Sequence, residues 1–216
     1  MRAGRLDAQY FQPKFEEVET FLARQFGVER IGQWGKVLKG QSTEYTDEGE
    51  GTPVVRSGDL TDLDNESGFK TALPGQPLFL LRRGDVCISS IGFGSIGKVQ
   101  VFDKPANHAT VSEVTVIRQK RVNPYYLHFF LRSPFGQMQI ERYITGATGQ
   151  LHLYPKDVEK IYVPLAPEDL QDKLEAMTHE SRSARHNAKR LLERAKRAVE
   201  LAIEESEAAG MAWLET

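Results

Sequence analysis

A seam of small apolar residues in the C-terminal quarter constrains this chain more than any other feature. Leu170, Leu174, Met177, Ser181, Ala184, Ala188, Leu191, Ala195, Ala198 and Ala202 follow one another at alternating gaps of four and three. Such an a/d heptad repeat calls for one helix of about 60 Å, at ~1.5 Å per residue. Pro164 and Pro167 stand ahead of it, and Glu168 and Asp169 fall in its first turn, where acidic groups suit the helix dipole. Gly210 is its expected end. The stripe is narrow and rich in alanine, with Arg182, Arg185, Lys189, Arg190, Arg194, Lys196 and Arg197 along its flanks. Leu192, Val199 and Ile203 broaden it only in its second half. Small seam residues let a second helix approach closely, so the pattern predicts helix-on-helix pairing with another copy or another repeat.

The residues ahead of the seam read differently. Pro13 to Gln25 predicts a short amphipathic helix with Phe15, Val18, Phe21 and Leu22 on one face and Gly27 after it. Apolar runs of strand length follow at Ile31–Leu38, Pro53–Arg56, Leu78–Leu81, Asp85–Ile91, Lys98–Phe102, Ser112–Arg118 and Glu159–Val163. The stretches 47–51 and 61–77 read as polar loops. Asn123-Pro124 is a cap followed by a first-turn proline, opening a helix that presents Tyr126, Leu127, Phe130 and Leu131 to a core. Residues 134–144 predict another short helix. The expected fold class is therefore α+β. A mostly-β domain with short helices spans 1–166, one long coiled-coil-type helix spans 167–210, and a tail spans 211–216.

Composition excludes several classes. No run approaches the ~18 apolar residues of a membrane span, and the first residues lack the apolar core of a secretory signal. The expectation is a cytoplasmic protein without a membrane partner. The single cysteine, Cys87, lies in an apolar run and reads as a small core residue. The net charge is −2, so any grip on nucleic acid rests on local patches or on a partner.

Two motifs invite a catalytic reading and fail it. Gly92-Phe93-Gly94-Ser95-Ile96-Gly97 matches the dinucleotide fingerprint, but a strand rather than a helix is predicted after it, so a glycine-rich hairpin is expected. Asn123-Pro124-Tyr125-Tyr126 is similar to an amino-methyltransferase motif but lacks its second proline, and helix capping accounts for it. His108, His128, His152, His179 and His186 show no metal-ligand spacing. No catalytic residue and no metal ligand is assigned.

A resemblance now becomes specific. The run from Thr145 to Val158 (TGATGQLHLYPKDV) leads into Glu159–Pro167 (EKIYVPLAP), with Asp172 and Lys173 beyond. It resembles the closing segment of a target-recognition domain in the specificity subunits of type I restriction–modification enzymes. Arg5–Pro13 resembles the opening of such domains, Gly51–Leu60 their early strand and turn, and Gly84–Ser89 with the glycine loop their central hairpin. The resemblance covers nearly the whole chain in order. It implies a non-catalytic subunit that recognises double-stranded DNA and directs partner methyltransferase and restriction subunits to a bipartite target. It also implies that S-adenosylmethionine, magnesium and ATP belong to those partners, with no cofactor in this chain. The usual subunit has two recognition domains and two spacer helices, whereas this chain has one of each. That predicts a half-subunit that forms a homodimer through the long helix, or one part of a longer protein. A recognition module of a single-chain restriction–methyltransferase, and an interaction scaffold without DNA binding, are the alternatives.

Sequence readout needs side chains at base edges and phosphate contacts that hold them in register. The candidates are Lys36, Lys39, Gln41, Ser42, Thr43 and Tyr45 after the first strand, and Arg56 and Ser57 at a turn beside Asp59. Arg82 and Arg83 precede the central strand, Ser95 and Lys98 flank the glycine loop, and Thr145, Thr148 and Gln150 ride on Gly146 and Gly149. The bland reading of Arg56 and Asp59 is that they hold the turn.

Overall fold

The computed structural model describes residues 7–25, 27–47, 51–64, 68–105, 107–146 and 150–215. The chain divides into two compact units, Met1–Gln171 and Asp172–Thr216.

In the first unit, α1 (Pro13–Gln25) buries Phe15, Val18 and Leu22. Phe21 faces outward more than expected and stacks on Phe135 at 5.6 Å. The strand expected at 31–38 is interrupted. The chain forms β1 (Val28–Arg30), one helical turn α2 (Ile31–Trp34) and then β2 (Gly35–Lys39). The reason is tertiary: the amides of Ile31 and Gly32 donate to the carbonyls of Ile161 and Glu159, at 3.1 and 2.9 Å. The Gln33 side chain meanwhile accepts from the Arg30 amide at 2.6 Å. With its first donors satisfied this way, the segment closes a turn instead of extending a ladder.

The remaining strands are β3 (Tyr45–Thr46), β4 (Pro53–Val55), β5 (Lys70–Ala72), β6 (Phe79–Leu80), β7 (Asp85–Ser89), β8 (Val99–Phe102), β9 (Ala109–Thr110), β10 (Val114–Gln119) and β11 (Tyr162–Pro164). They make three sheets, ordered β1-β11, β2-β10-β7-β8 and β3-β5-β4-β9-β6. Among the described residues all strand pairings are antiparallel except β4 with β9. The stretch 61–77, expected as a polar loop, thus supplies strand β5, because β3 and β4 pair with it, and a 3-10 turn at Asp59–Thr61 stands just ahead of it.

The core lies between the second and third sheets, where Val54, Val55, Leu60, Leu81, Phe102, Val114 and Val116 meet. Cys87 is fully buried within it, and burial pushes its thiol above the ordinary range, as expected of an inert core residue. Every residue of β7 is buried. Helix α3 (Pro124–Arg132) packs across β7 and β8, so both faces of this strand are covered and its middle reads Val86-Cys87-Ile88 without a polar break. The Asn123 side chain accepts from the Tyr125 amide at 2.9 Å, which is the cap read from the sequence. Helix α4 (Pro134–Tyr143) follows immediately after Ser133, and a short turn α5 (Pro155–Val158) precedes β11.

Helix α6 spans Glu168–Glu204. Its first turn is tied into the first unit by Gln171, whose side chain accepts from the Asn123 amide at 2.7 Å and donates to the Ala166 carbonyl at 2.8 Å. The expected helix end at Gly210 and tail at 211–216 are corrected. The helix stops at Glu204, Ser206 caps a new turn, and α7 (Glu207–Glu215) contains Gly210. A Cβ at Gly210 would lie 2.6 Å from the Ala198 carbonyl oxygen and 2.8 Å from the Ala202 Cβ. Glycine is therefore a packing requirement here, not a stop signal. Arg194 donates to the Leu214 carbonyl at 3.0 Å and fastens the far end of α7 to α6.

One ion pair sets the register of the central sheet. Asp85, only 1% exposed, accepts from Arg118 Nε at 2.9 Å and Nη2 at 2.7 Å, and from the Arg82 amide at 2.8 Å. Arg118 also donates to the Leu80 carbonyl at 3.1 Å, and its hydrogen bonds to Asp85 raise the affinity of its guanidinium for its proton. Asp85→Ala strands the arginine beside the core and is expected to lower stability by roughly 3 kcal/mol. Urea unfolding checks this, with a loss below ~1 kcal/mol as the contrary result.

Candidate nucleic-acid interface

The glycine-rich segment is a turn joining β7 to β8, as read from the sequence. Gly92, Gly94 and Gly97 have φ of 112°, 79° and 83°, conformations that suit glycine. The Gly97 amide returns to the Ser89 carbonyl at 2.9 Å, and Ser95 Oγ donates to the Ile91 carbonyl at 3.1 Å. A strand follows, so no helix N-terminus is available for a pyrophosphate. Phe93 stands at the tip, 83% exposed.

A second loop lies against it. Thr145 and His152 exchange backbone hydrogen bonds of 2.9 and 2.8 Å, closing a hairpin. Gly146 sits at φ 120°, where a Cβ would fall 2.1 Å from the Gln150 carbonyl oxygen. Ile91 bridges to His152, the Gly92 amide donates to the Leu151 carbonyl, and the Leu153 amide donates to the Ser90 carbonyl. The His152 ring stacks on Tyr154 at 5.8 Å. Two loops about fifty residues apart thus form one surface at the C-terminal end of β7. Thr148 lies outside the described residues, while Gln150 is exposed and Thr145 half-buried.

Beside this surface is a cavity of about 410 Å³ lined by Thr61, Ile96, Gly97, Lys98, Arg132 and Gln137, among others. Lys98 Nζ donates to Thr61 Oγ1 at 3.3 Å, and the Gln137 amide donates to the Gly97 carbonyl at 3.0 Å. Arg132 is a cation that the sequence reading missed. It sits in the last turn of a helix whose apolar face drew the attention.

The other candidates separate. Ser57 Oγ donates to Glu113 at 3.1 Å, and Ser90 Oγ donates to the Glu113 carbonyl at 3.0 Å, which places Ser57 at the loop end of the sheet. Arg56 is spent on Asp59, with two guanidinium bonds of 3.1 Å and its amide bonded at 2.8 Å. The Asp59 carboxylate holds the Arg56 guanidinium protonated even more firmly than usual. Arg56 also lies over the Tyr45 ring at 5.7 Å, so this pair builds the turn. Thr43 is buried and donates to the Pro77 carbonyl at 2.8 Å, whereas Lys39, Gln41 and Ser42 are exposed nearby. Lys36, Arg82 and Arg83 lie at the opposite end of β7. There they share a groove of about 640 Å³ with Arg118 and Lys120. Lys36 faces Arg118 across the ladder, and Arg83 pairs with Asp103 at 2.6 Å. The five residues of β7 put about 16 Å between the two ends, at ~3.3 Å per residue. Among the described residues no cluster of His, Cys, Asp or Glu could hold a metal, and no helix is long and apolar enough to cross a membrane.

Along α6 the seam is split. Leu170, Met177, Ser181, Ala184, Ala188, Leu191 and Ala195 are exposed and Leu174 is half-buried. Ala198 is 5% exposed and Ala202 is partly covered, both by α7. The expectation that these last two positions meet another helix is corrected in part: the helix they meet is the chain's own.

Residues 25–176 match the type I restriction modification DNA specificity domain, and the chain belongs to that family. Solved structures agree in fold. The S subunit of a type I restriction-modification system from M. genitalium matches with a TM-score of 0.54 at 14% identity, over 83% of this chain and 44% of that one. The HsdS subunit from Thermoanaerobacter tengcongensis matches with a TM-score of 0.50 at 20% identity, over 94% of this chain and 50% of that one. A chain from a structure describing assembly and conformational transition of the type I R-M system matches with a TM-score of 0.53 at 19% identity, over 94% and 52%. This chain thus spans about half the length of these relatives. No curated protein matches it by sequence.

Gly146→Ala places a side chain where the hairpin has no room and is expected to open it locally, at a cost of roughly 1–3 kcal/mol. Hydrogen exchange at the Thr145 and His152 amides then quickens by about tenfold or more while β7 stays protected. Unchanged exchange at those two amides contradicts this account of the loop.

Proposed function

We propose that this chain reads DNA sequence as the specificity component of a type I restriction–modification assembly. The observation that carries the reading is the joining of the glycine loop to the 145–153 hairpin, in a domain of a DNA-specificity family. Phe93 and Gln150 project from a surface whose glycines let the main chain come close to a phosphate. Lys98 and Arg132 stand beside it as phosphate partners. Glutamine can read adenine through paired hydrogen bonds, with ~1–3 kcal/mol of discrimination per base. Thr145, Ser95, Ser57, Lys39, Gln41 and Ser42 complete the set at this end, and Thr148 joins it on the sequence alone. Arg56 and Thr43 serve by shaping the loops.

In this reading the chain performs no chemistry. A methyltransferase subunit and a restriction subunit act where it binds, and they bring S-adenosylmethionine, magnesium and ATP. The exposed seam of α6 pairs with a second copy, and two copies related by a two-fold axis read an inverted repeat with a fixed gap. The protein is cytoplasmic, where its DNA target lies.

Binding to duplex DNA, with the methyltransferase subunit present, is expected to weaken steeply with salt as phosphate contacts release counterions. Lys98→Glu should reduce the slope of log K against log salt by about 1 and weaken all sequences alike. Gln150→Ala should instead relax discrimination at one position by ~1–3 kcal/mol. An affinity indifferent to salt contradicts the proposal. Methylome sequencing of the host is expected to show an inverted-repeat motif that depends on this chain, and an asymmetric bipartite motif from this chain alone contradicts the two-fold pair.

A further inference from the structure

The seam of α6 has a symmetry of its own. Because its gaps alternate, it reads the same from either end, and so does the shorter seam that ends at Ala195. Two copies can therefore pair antiparallel in a long register that matches all ten seam positions or in a short one that matches the eight up to Ala195. In the long register Leu170 faces Ala202 of the second copy, and Ala184 faces Ala188. In the short register Leu170 faces Ala195, and Ser181 faces Ala184. The registers differ by seven residues, or about 10 Å at ~1.5 Å per residue.

We infer that α7 selects the short register, making it the element that sets how far apart two paired copies hold their recognition domains. The inference rests on the pairing proposed above. The Ala198 and Ala202 positions that the long register needs are occupied by Gly210 of the same chain, with no room for a Cβ between them. The exposed seam ends at Ala195, where the short register stops. Charge separates the two registers through Arg194. In the long register Arg194 would meet Glu180 of the second copy, a pair of opposite charges beside the seam. In the short one the same spacing would set it against Lys173 of the second copy. With α7 docked, Arg194 is held by the Leu214 carbonyl at 3.0 Å and cannot make that pair. Releasing α7 thus frees two seam positions and one cation together. At ~3.4 Å per base pair, the shift corresponds to a gap about three base pairs longer.

The test is the distance between nitroxide labels on Ala176→Cys in the paired full-length chain, read by pulsed electron spin resonance. Ala176 is exposed on α6 and off the seam, and the native Cys87 is fully buried, so one label attaches per chain. Gly210→Leu, which expels α7, is expected to lengthen the label-to-label distance by roughly 8–10 Å, as the seven-residue slide requires. A chain ending at Glu204 should do the same, which guards against a local fault of the leucine variant. Dimers with one unchanged distance in all three proteins overturn the register inference and leave the pairing intact. A dimer that forms only when α7 is lost also overturns it, since α7 then blocks pairing altogether. Monomers in all three overturn the pairing and the inference with it.

Discussion

The recognition unit is organised by the ion pair between Asp85 and Arg118. A carboxylate 1% exposed is tolerable only because a guanidinium and a backbone amide satisfy it from fixed positions. Since Asp85 opens β7 and Arg118 lies near the end of β10, their bond fixes how the two strands align. A slip of one residue would break the pair and turn the apolar side chains of both strands to the wrong faces. The register then decides where everything else emerges. The glycine loop leaves β7 at one end beside the 145–153 hairpin, and Arg82 and Arg83 are held at the other.

Local signals were legible in the sequence wherever one segment satisfies its own backbone. The bounds of α1, the Asn123 cap and the glycine turn follow from residues within a few positions of each other. Features held by distant partners were not legible. Helix α2 exists because the 159–161 segment accepts its first amides, and β5 exists because β3 and β4 flank it. The candidate site followed the same division. Grouping cations and polar residues by chemistry joined Lys36, Arg82 and Arg83 with loops that the sheet places at its opposite end. Arg56 and Thr43 have the right chemistry for contact with DNA, but they are occupied by Asp59 and Pro77. Arg132 escaped notice because an apolar helix face masks an end-of-helix cation.

Gly210 shows how one residue type carries opposite meanings. As a helix terminator it implied a seam open along its whole length. As a contact residue, pressed between Ala198 and Ala202, it closes the last two seam positions within the chain. The alanines matter more than the leucines, because they set how closely a helix can lie. For the last two of them that helix is α7, and for the others the proposed occupant is a second copy.

The central claim is that DNA is read at the C-terminal end of β7. Hydrogen exchange of the chain with the proposed methyltransferase partner, with and without duplex carrying the methylated motif, addresses it most directly. The account predicts added protection across 91–98 and 145–153 and little change around Lys36, Arg82 and Lys120. Protection confined to the groove at the other end of the strand would contradict it.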